Sequence, residues 1–284
     1  MQPLIDADVL LHEIGWSGEF RDKDTGESVL LPAEHVMEIL DKKIEIICED
    51  VMADEEPILY LSDSEWLAER EGRKFIPNFR YEVAKTQPYK GNRKNPKPFH
   101  FYNIMAYMLG MYHTVISTDG LEADDMMSIE QFGRDDTIIC SRDKDLRICP
   151  GWHYSWECGK QNAIMPTLTD SIGWLEMTEK VVGETKTGKP KIKKEVKGYG
   201  LSFFYYQMLV GDSADNIPGL SGVGVVGAYN MLCDLEDEQQ LFECVRDEYK
   251  DVMGKESKDH FLEQANLLWI MQEKGKPYEI PRFE

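Results

Sequence analysis

Acidic residues recur in this chain at positions where a fold could gather them: Asp6, Asp63, Glu122 with Asp124 and Asp125, Asp143 with Asp145, and Asp212 with Asp215. At any one of these positions a carboxylate has ordinary work as a helix cap or turn former. A convergence of all of them is a different matter, because packed together and unpaired they would repel one another and rise in pKa unless cations neutralised them. Two hard cations about 4 Å apart would resolve that repulsion and supply chemistry: one activates a bound water, the other steadies the leaving oxygen of an in-line displacement at phosphorus. Phosphodiester hydrolysis of this kind needs carboxylates in number rather than a histidine base.

Other metal chemistries find no support in the sequence. The six cysteines, at 48, 140, 149, 158, 233 and 244, form no Cys-x-x-Cys pair, and the six histidines are dispersed. His12-Glu13 runs on into Ile-Gly-Trp, so there is no His-Glu-x-x-His zinc helix. Oxygen ligands favour Mg²⁺, with Mn²⁺ as a substitute.

The net charge of −20 argues against a phosphate-bearing partner until its distribution is considered. From Arg70 to Lys97 nine basic residues face two acidic ones, a net of +7; from Thr185 to Gly198 six lysines face one glutamate, a net of +5. The rest of the chain therefore carries −32. Local phosphate-binding surfaces beside a separate cation-loading cluster fit that segregation.

The elements that must position these residues follow from periodicity. Apolar runs at 3–7, 57–61, 113–117 and 137–140 predict short buried strands, each followed by polar or acidic residues. Helical spacing covers 33–52, 99–112 and 122–132 between them. Such alternation predicts an α/β fold with a mainly parallel central sheet, in which ligand sites collect beyond the carboxyl ends of the strands. The basic stretch 70–98 holds Pro77, Pro88, Pro96 and Pro98, which predicts a loop-like excursion. The segment 185–198 reads as a hairpin or loop. After about residue 200 the pattern is helical, with a Gly-rich turn at 219–224 and helices near 225–235, 239–249 and 257–273. Two regions are expected: a core at 1–200 and a helical nucleic-acid-binding region at 201–284. No apolar run approaches the roughly 20 residues of a membrane helix, and Met1 to Asp8 lacks the regions of a signal peptide. An intracellular, soluble protein is expected.

Four motifs occur in order: Tyr89-Lys90-Gly91-Asn92-Arg93, Glu122-Ala123-Asp124-Asp125, Ser141-Arg142-Asp143-Lys144-Asp145, and Gly211-Asp212-Ser213-Ala214-Asp215-Asn216-Ile217-Pro218-Gly219. Together, from Asp6 to about Leu232, they resemble the 5′-nuclease family: bacteriophage 5′-exonucleases, flap endonucleases and the 5′-nuclease domain of bacterial DNA polymerase I. The phage members, at similar length, look most alike. The resemblance implies a PIN-like core and a metal-dependent 5′-3′ exonuclease or flap endonuclease. Asp6, Asp63, Glu122, Asp124 and Asp125 would serve a first Mg²⁺, Asp212 and Asp215 a second, with Asp143 and Asp145 between. Lys90 and Arg93 match the basic pair of an arch that steadies the scissile phosphate, and Tyr89 is placed to stack on a base. Gly219, Ser221, Gly222 and Gly224 match a turn that grips duplex backbone and in the family holds a monovalent cation such as K⁺. Lys191, Lys193 and Lys194 are further candidates for backbone contact, against the alternative of a solvated hairpin.

The resemblance also implies partners: DNA with 5′ ends or flaps, or an RNA–DNA hybrid, with replication proteins as companions, a monomeric state, and a host cytoplasm as the setting of a phage-encoded protein. The chain departs from the family at Ala7, where glycine is usual, at Asp8, an added carboxylate, and at Val225 and Val226, where a basic residue commonly follows the turn. An arginine that often follows the first strand is not evident. Rival readings are a PIN-like ribonuclease, a non-catalytic structure-specific DNA-binding protein and a cation-dependent phosphatase. The arch-like motif and Gly-rich turn oppose the first. The carboxylates oppose the second, since a binder gains nothing from negative charge beside phosphate. The two basic segments are unexplained by the third.

Overall fold

The structure, a computed structural model, describes every residue except 23, 94, 95, 185–187 and 284. The basic stretch 70–98 and the lysine segment 185–198 each cross one of these gaps, and Lys186 lies outside the described residues. The chain begins with β1 (Gln2–Asp6), α1 (Ala7–Ser17), a small hairpin of β2 (Glu19–Arg21) and β3 (Ser28–Leu30), and α2 (Ala33–Asp50). There follow β4 (Ile58–Leu61), α3 (Glu65–Arg70), α4 (Arg80–Val83), α5 (Phe101–Met111), β5 (His113–Ile116), α6 (Ala123–Gln131) and β6 (Thr137–Cys140). β7 (Gly151–Ser155) and β8 (Ile164–Thr169) complete the central sheet, and β9 (Trp174–Glu184) and β10 (Pro190–Tyr199) form a long hairpin. The helices α7 (Gly200–Val210), α8 (Val225–Leu232), α9 (Glu238–Met253) and α10 (Ser257–Leu268) come last.

The central sheet has the order β5-β4-β1-β6-β7-β8. Its first five strands are parallel, and β8 returns antiparallel along the edge. This is the mainly parallel α/β arrangement that the alternation predicts, with helices on both faces. The strands are apolar throughout because alternate residues serve two cores. Ile5, Leu59, Leu61, Ile138 and Cys140 point into a cluster with Leu10, Leu11 and Ile14 of α1, Val36 and Leu40 of α2 and Ile104 and Met108 of α5. Leu4, Ile58, Tyr60 and Ile139 point the other way, into a cluster with Met127 of α6, Phe204 and Leu209 of α7, and Leu241, Phe261 and Leu268 of the later helices. Residues on either side of position 200 thus share one apolar cluster.

The strand and helix expectations hold within a few residues. The β9–β10 hairpin settles the choice left open for the lysine segment; Lys191, Lys193 and Lys194 are exposed on it, with Lys193 3.0 Å from Glu195 and Lys194 3.6 Å from Glu179. Among the described residues no helix is long and apolar enough to cross a membrane.

Candidate active site

The parallel strands β1, β4 and β6 end on or are followed by polar residues, and those residues build the site. Asp6, the last residue of β1, caps α1: one oxygen accepts from the Val9 amide at 3.0 Å and the other from the Ser141 hydroxyl at 2.6 Å. Beyond β4, the Ser62 amide donates to Asp8, and the Ser62 hydroxyl accepts from the Ala123 amide at the start of α6. Glu122 and Asp125 form a reciprocal capping box there, the Glu122 amide donating to Asp125 at 3.0 Å. This holds Asp124 in the first turn of α6, where the helix dipole favours negative charge. Beyond β6, the Ser141 hydroxyl accepts from the Asp143 amide at 2.8 Å, and Asp143 accepts from the Asp145 amide at 2.9 Å.

The last pair of acids depends on two glycines. Gly211 (φ 72°) and Gly219 (φ 66°) bring their backbones together, closing a loop whose ends are tied by mutual amide–carbonyl bonds between Asp212 and Ile217 at 2.7 and 2.8 Å. A Cβ on Gly211 would stand 2.3 Å from the Ile217 carbonyl oxygen, and one on Gly219 would stand 2.3 Å from the Gly211 nitrogen. Only glycine fits at this contact. The loop presents Asp212 and Asp215 towards the acids beyond the sheet.

Asp6, Asp124 and Asp145 show the electrostatic cost of this gathering. Burial and the charge of Asp8 push the Asp6 carboxyl up to about 7. Burial, then repulsion from Asp6, Asp143 and Glu122, raises Asp124 well above the usual range, and no protein group among the described residues donates a hydrogen bond to its side chain. Burial and Asp143 push Asp145 up to about 7. Asp8 is also raised, chiefly by burial.

Cationic side chains hold the other acids. Lys90 binds Glu122 and lies 3.9 Å from Asp215, which Arg93 also binds. Burial alone would raise Glu122, but Lys90 and Arg80 hold it below its ordinary value. Lys144 bridges Asp145 and Asp212 at 2.6 and 2.5 Å, and its charge overrides burial to keep Asp212 low. Arg73 forks onto both oxygens of Asp63 at 2.6 and 2.7 Å.

Arg80 and Asp125, both essentially inaccessible, form a bidentate pair with two bonds of 2.8 Å. Arg80 also donates to the Trp269 carbonyl at 2.6 Å, and Asp125 accepts from the Met271 amide at 3.0 Å. Beside them, Glu263 of α10 accepts from the Lys85 and Thr86 amides at 2.7 and 2.6 Å. The segment after α10 and the basic strap are therefore fastened to the helix that carries Glu122 and Asp124.

One recess is lined by Arg80, Tyr89, Lys90, Glu122, Asp124, Asp143, Asp145 and Asp215. Asp6 and Asp212 join through their coupling to Asp143, Asp124 and Asp145. Asp63 lies outside that lining, paired with Arg73. Asp125 has its oxygens taken by Arg80 and two amides, so metal ligation there would require those bonds to open. Among the described residues no three acidic, histidine or cysteine side chains stand ready-made around a common point, as expected where Lys90, Arg93 and Lys144 occupy the spaces between acids. The donor set nevertheless fits a hard divalent cation. It is all oxygen, and it includes carboxyls that burial and mutual repulsion keep partly neutral.

Three of the nucleic-acid contacts expected from the sequence have the following surroundings. Tyr89 is only 4% exposed; its hydroxyl donates to Glu122 and Asp215 at 3.0 Å each, and its ring meets Tyr81 edge-on. In this arrangement the ring has no face for a base. Gly219 is buried against Gly211, whereas Ser221, Gly222 and Gly224 are exposed beside the start of α8. Lys191, Lys193 and Lys194 make no contact with the acidic recess. Arg73, Arg80 and Lys144 escaped the sequence reading. Lys144 had a signal, since a cation between two aspartates can bridge acids; Arg80 was one of nine cations in its segment.

With this geometry in place, comparison with known proteins gives the following likenesses. No protein-family model matches the chain. The chain is 24% identical over 221 residues to DNA polymerase I of Borreliella burgdorferi, covering 73% of this chain and 21% of that protein's length. The match thus spans about a fifth of the curated relative. A bacteriophage T5 protein co-crystallized with metal ions is similar at 14% identity and a TM-score of 0.48, over 93% of this chain and 88% of that one. A T5 flap endonuclease in complex with DNA and metal ions gives 15%, 0.45, 93% and 98%. The catalytic core of Rad2 with DNA substrate gives 13%, 0.43, 95% and 74%. Of these proteins, the T5 flap endonuclease carries in its name one of the activities that the ordered motifs resemble.

Proposed function

We propose that the chain is a metal-dependent nuclease that hydrolyses DNA phosphodiester bonds near 5′ ends, as an exonuclease, a flap endonuclease or both. The carrying observation is the recess in which Asp124, Asp143 and Asp145 lie open to one another beneath a strap bearing Lys90. A simple binder has no need of acids beside phosphate, and a phosphatase acting on small esters leaves the two basic segments unexplained. Divalent cations, when bound, would activate water and offset the charge of the leaving oxygen. Asp6, Asp124, Asp143 and Asp145 would hold one such cation, and Asp212 and Asp215 another. Glu122 stands between the two duties, facing both the acids and the strap.

Lys90 and Arg93 have a second use in this reading. Released from Glu122 and Asp215, their cations meet the non-bridging oxygens of the scissile phosphate and draw it over the acids. Lys144 would leave Asp145 and Asp212 in the same way. The glycines before α8 and its start, where no side chain caps the free amides, would receive duplex phosphate, with K⁺ at the same turn as the family resemblance implies. Residues 201–283 then form the duplex-holding side of the molecule.

The experiment is cleavage of a 5′-labelled flap and a 5′-recessed duplex with Mg²⁺ or EDTA. Cutting near the 5′ junction should require metal, disappear in Asp124→Asn and fall by about a hundredfold or more in Lys90→Ala. A wild-type chain that binds these substrates but cuts none under Mg²⁺ or Mn²⁺ would falsify the nuclease reading.

A further inference from the structure

A second gathering of rings and cations lies outside the acidic recess and has no part in the proposed chemistry. α3 begins two residues after Asp63. Trp66 and Arg70, four residues apart, share one face of it, with the Arg70 guanidinium 5.6 Å from the Trp66 ring centre. Trp66 meets Tyr102 of α5 at 5.0 Å between ring centres, inclined by 37°. Lys97 follows: its ammonium lies 4.8 Å from the Tyr102 ring centre and 4.5 Å from that of Phe101, and it donates to the Tyr102 hydroxyl at 3.1 Å. Tyr102 is 40% exposed and Phe99 69%.

The row therefore runs Arg70, Trp66, Tyr102, Lys97, with Phe99 beside its end. Neither Arg70 nor Lys97 is paired with a carboxylate among the described residues, in a chain with 52 acids to 32 bases. Nearby acids are accounted for. Glu65 and Glu69 lie on the adjoining stripe of α3, Glu71 is held by Arg73, and Glu19 accepts from the Phe99 amide. The row is continuous with the strap. Lys97 belongs to the same basic stretch as Lys90 and Arg93, and burial and then the charges of Lys97 and Arg93 lower His12.

Partly exposed rings, interleaved with cations that no carboxylate holds among the described residues, suit an unpaired nucleic-acid strand: bases stack on the exposed ring surface, phosphates meet the cations, and no base edge is read. We propose that this row is a track for the unpaired 5′ DNA strand, with stacking on Tyr102 and Phe99 and phosphate contacts from Lys97 and Arg70. The assignment of the strand as the 5′ one rests on the nuclease reading; the track itself rests on the row.

The test is equilibrium binding by fluorescence anisotropy, with Ca²⁺ replacing Mg²⁺, to duplexes carrying no 5′ tail, a short thymidine tail or a longer one. Cleavage of the same substrates in Mg²⁺ is measured in parallel. One stacked base corresponds to about a tenfold gain in affinity, so tailed duplexes should bind the wild type about tenfold more tightly than the tail-less reference. Tyr102→Leu should abolish that gain, Tyr102→Phe should keep it, and Arg70→Ala should reduce it several-fold with a shallower salt dependence. Arg70 is exposed, so its variant remains informative if Tyr102→Leu melts early. A gain that survives in both Tyr102→Leu and Arg70→Ala overturns the track, as does a wild type that cuts but shows no preference for tails. A tail preference lost in these variants without any cleavage upholds the track and removes the nuclease reading instead.

Discussion

The Arg80–Asp125 pair gives the sharpest test of how the site is supported. Both side chains are within about a hundredth of full burial, and their two bonds measure 2.8 Å. Arg80→Met keeps the bulk of the side chain and removes the charge, leaving the Asp125 carboxylate buried without its partner. Breaking such a pair from one side costs about 3–5 kcal/mol, because the remaining charge keeps its desolvation penalty. Asp125→Asn alone orphans Arg80 in the same way. The double variant removes both charges, and the Asn oxygen keeps one of the two amide bonds that Glu122 and Met271 make to different oxygens of Asp125, so it should lose about 1–3 kcal/mol, less than the sum of the singles. The assay is urea unfolding by circular dichroism for all four proteins at pH 7.5 and pH 5. Unpaired Asp125 takes up a proton more readily than the paired one, so the Arg80→Met deficit should shrink at the lower pH. A single variant losing less than about 1 kcal/mol, or a double variant losing the sum of the singles, would refute the reasoning.

Three further outcomes follow from the same structure. Gly211→Ala places a Cβ 2.3 Å from the Ile217 oxygen at a φ of 72°; it should cost more than about 2 kcal/mol in urea unfolding, against about 1 kcal/mol for Gly222→Ala, where the space is open. Asp124→Asn removes a charge repelled by Asp6 and Asp143. Its Tm in EDTA should exceed that of the wild type by about 2–4 °C for each kcal/mol relieved, and its Tm should rise less on adding Mg²⁺; a lower Tm in EDTA would contradict the repulsion. Burial lowers His153 from its ordinary 6.5 to about 4. A depressed histidine keeps its full stability above pH 6.5 and loses it as pH falls towards 4. The wild type should therefore lose about 2 kcal/mol relative to His153→Gln between pH 7.5 and pH 5, and equal losses in urea unfolding would show that His153 is charged in the fold.

The parts of this molecule legible in its sequence are those whose physics is local. Leu4-Ile5, Ile58–Leu61 and Ile138–Cys140 are apolar on both faces because each strand lies between two helical layers, and such runs stand out from polar surroundings. The acids that follow them mark where the strands stop. β9 and β10 carried no such mark: most of their residues are exposed, and each is held mainly by pairing with the other. Partnership was the less legible part. Tyr89 stands among cations and so looked like a stacking residue, but its hydroxyl found two carboxylates 33 and 126 residues away. Arg80 is indistinguishable in sequence from its eight basic neighbours until Asp125, 45 residues on, and Trp269, 189 residues on, enclose it. Gly219 belongs to a turn that resembles a phosphate grip, yet its conformation is set by contact with Gly211.

The fastening of residues 263–271 to Lys85, Arg80 and Asp125 has a consequence for the order in which the protein is made. Four strands of the sheet, β1, β4, β5 and β6, lie in the first half of the chain, and with α1, α2 and α5 they can collapse while the ribosome is still translating the remainder. The turn of α6 that carries Glu122 and Asp124 is not fully tied so early, because Asp125 also accepts from the Met271 amide, 146 residues downstream, and Arg80 donates to the Trp269 carbonyl. Such distant closure is among the slowest events in folding. A nascent chain would therefore carry the acids before all of their anchors exist, and under the nuclease reading proposed above the centre would be incomplete until synthesis has passed residue 271.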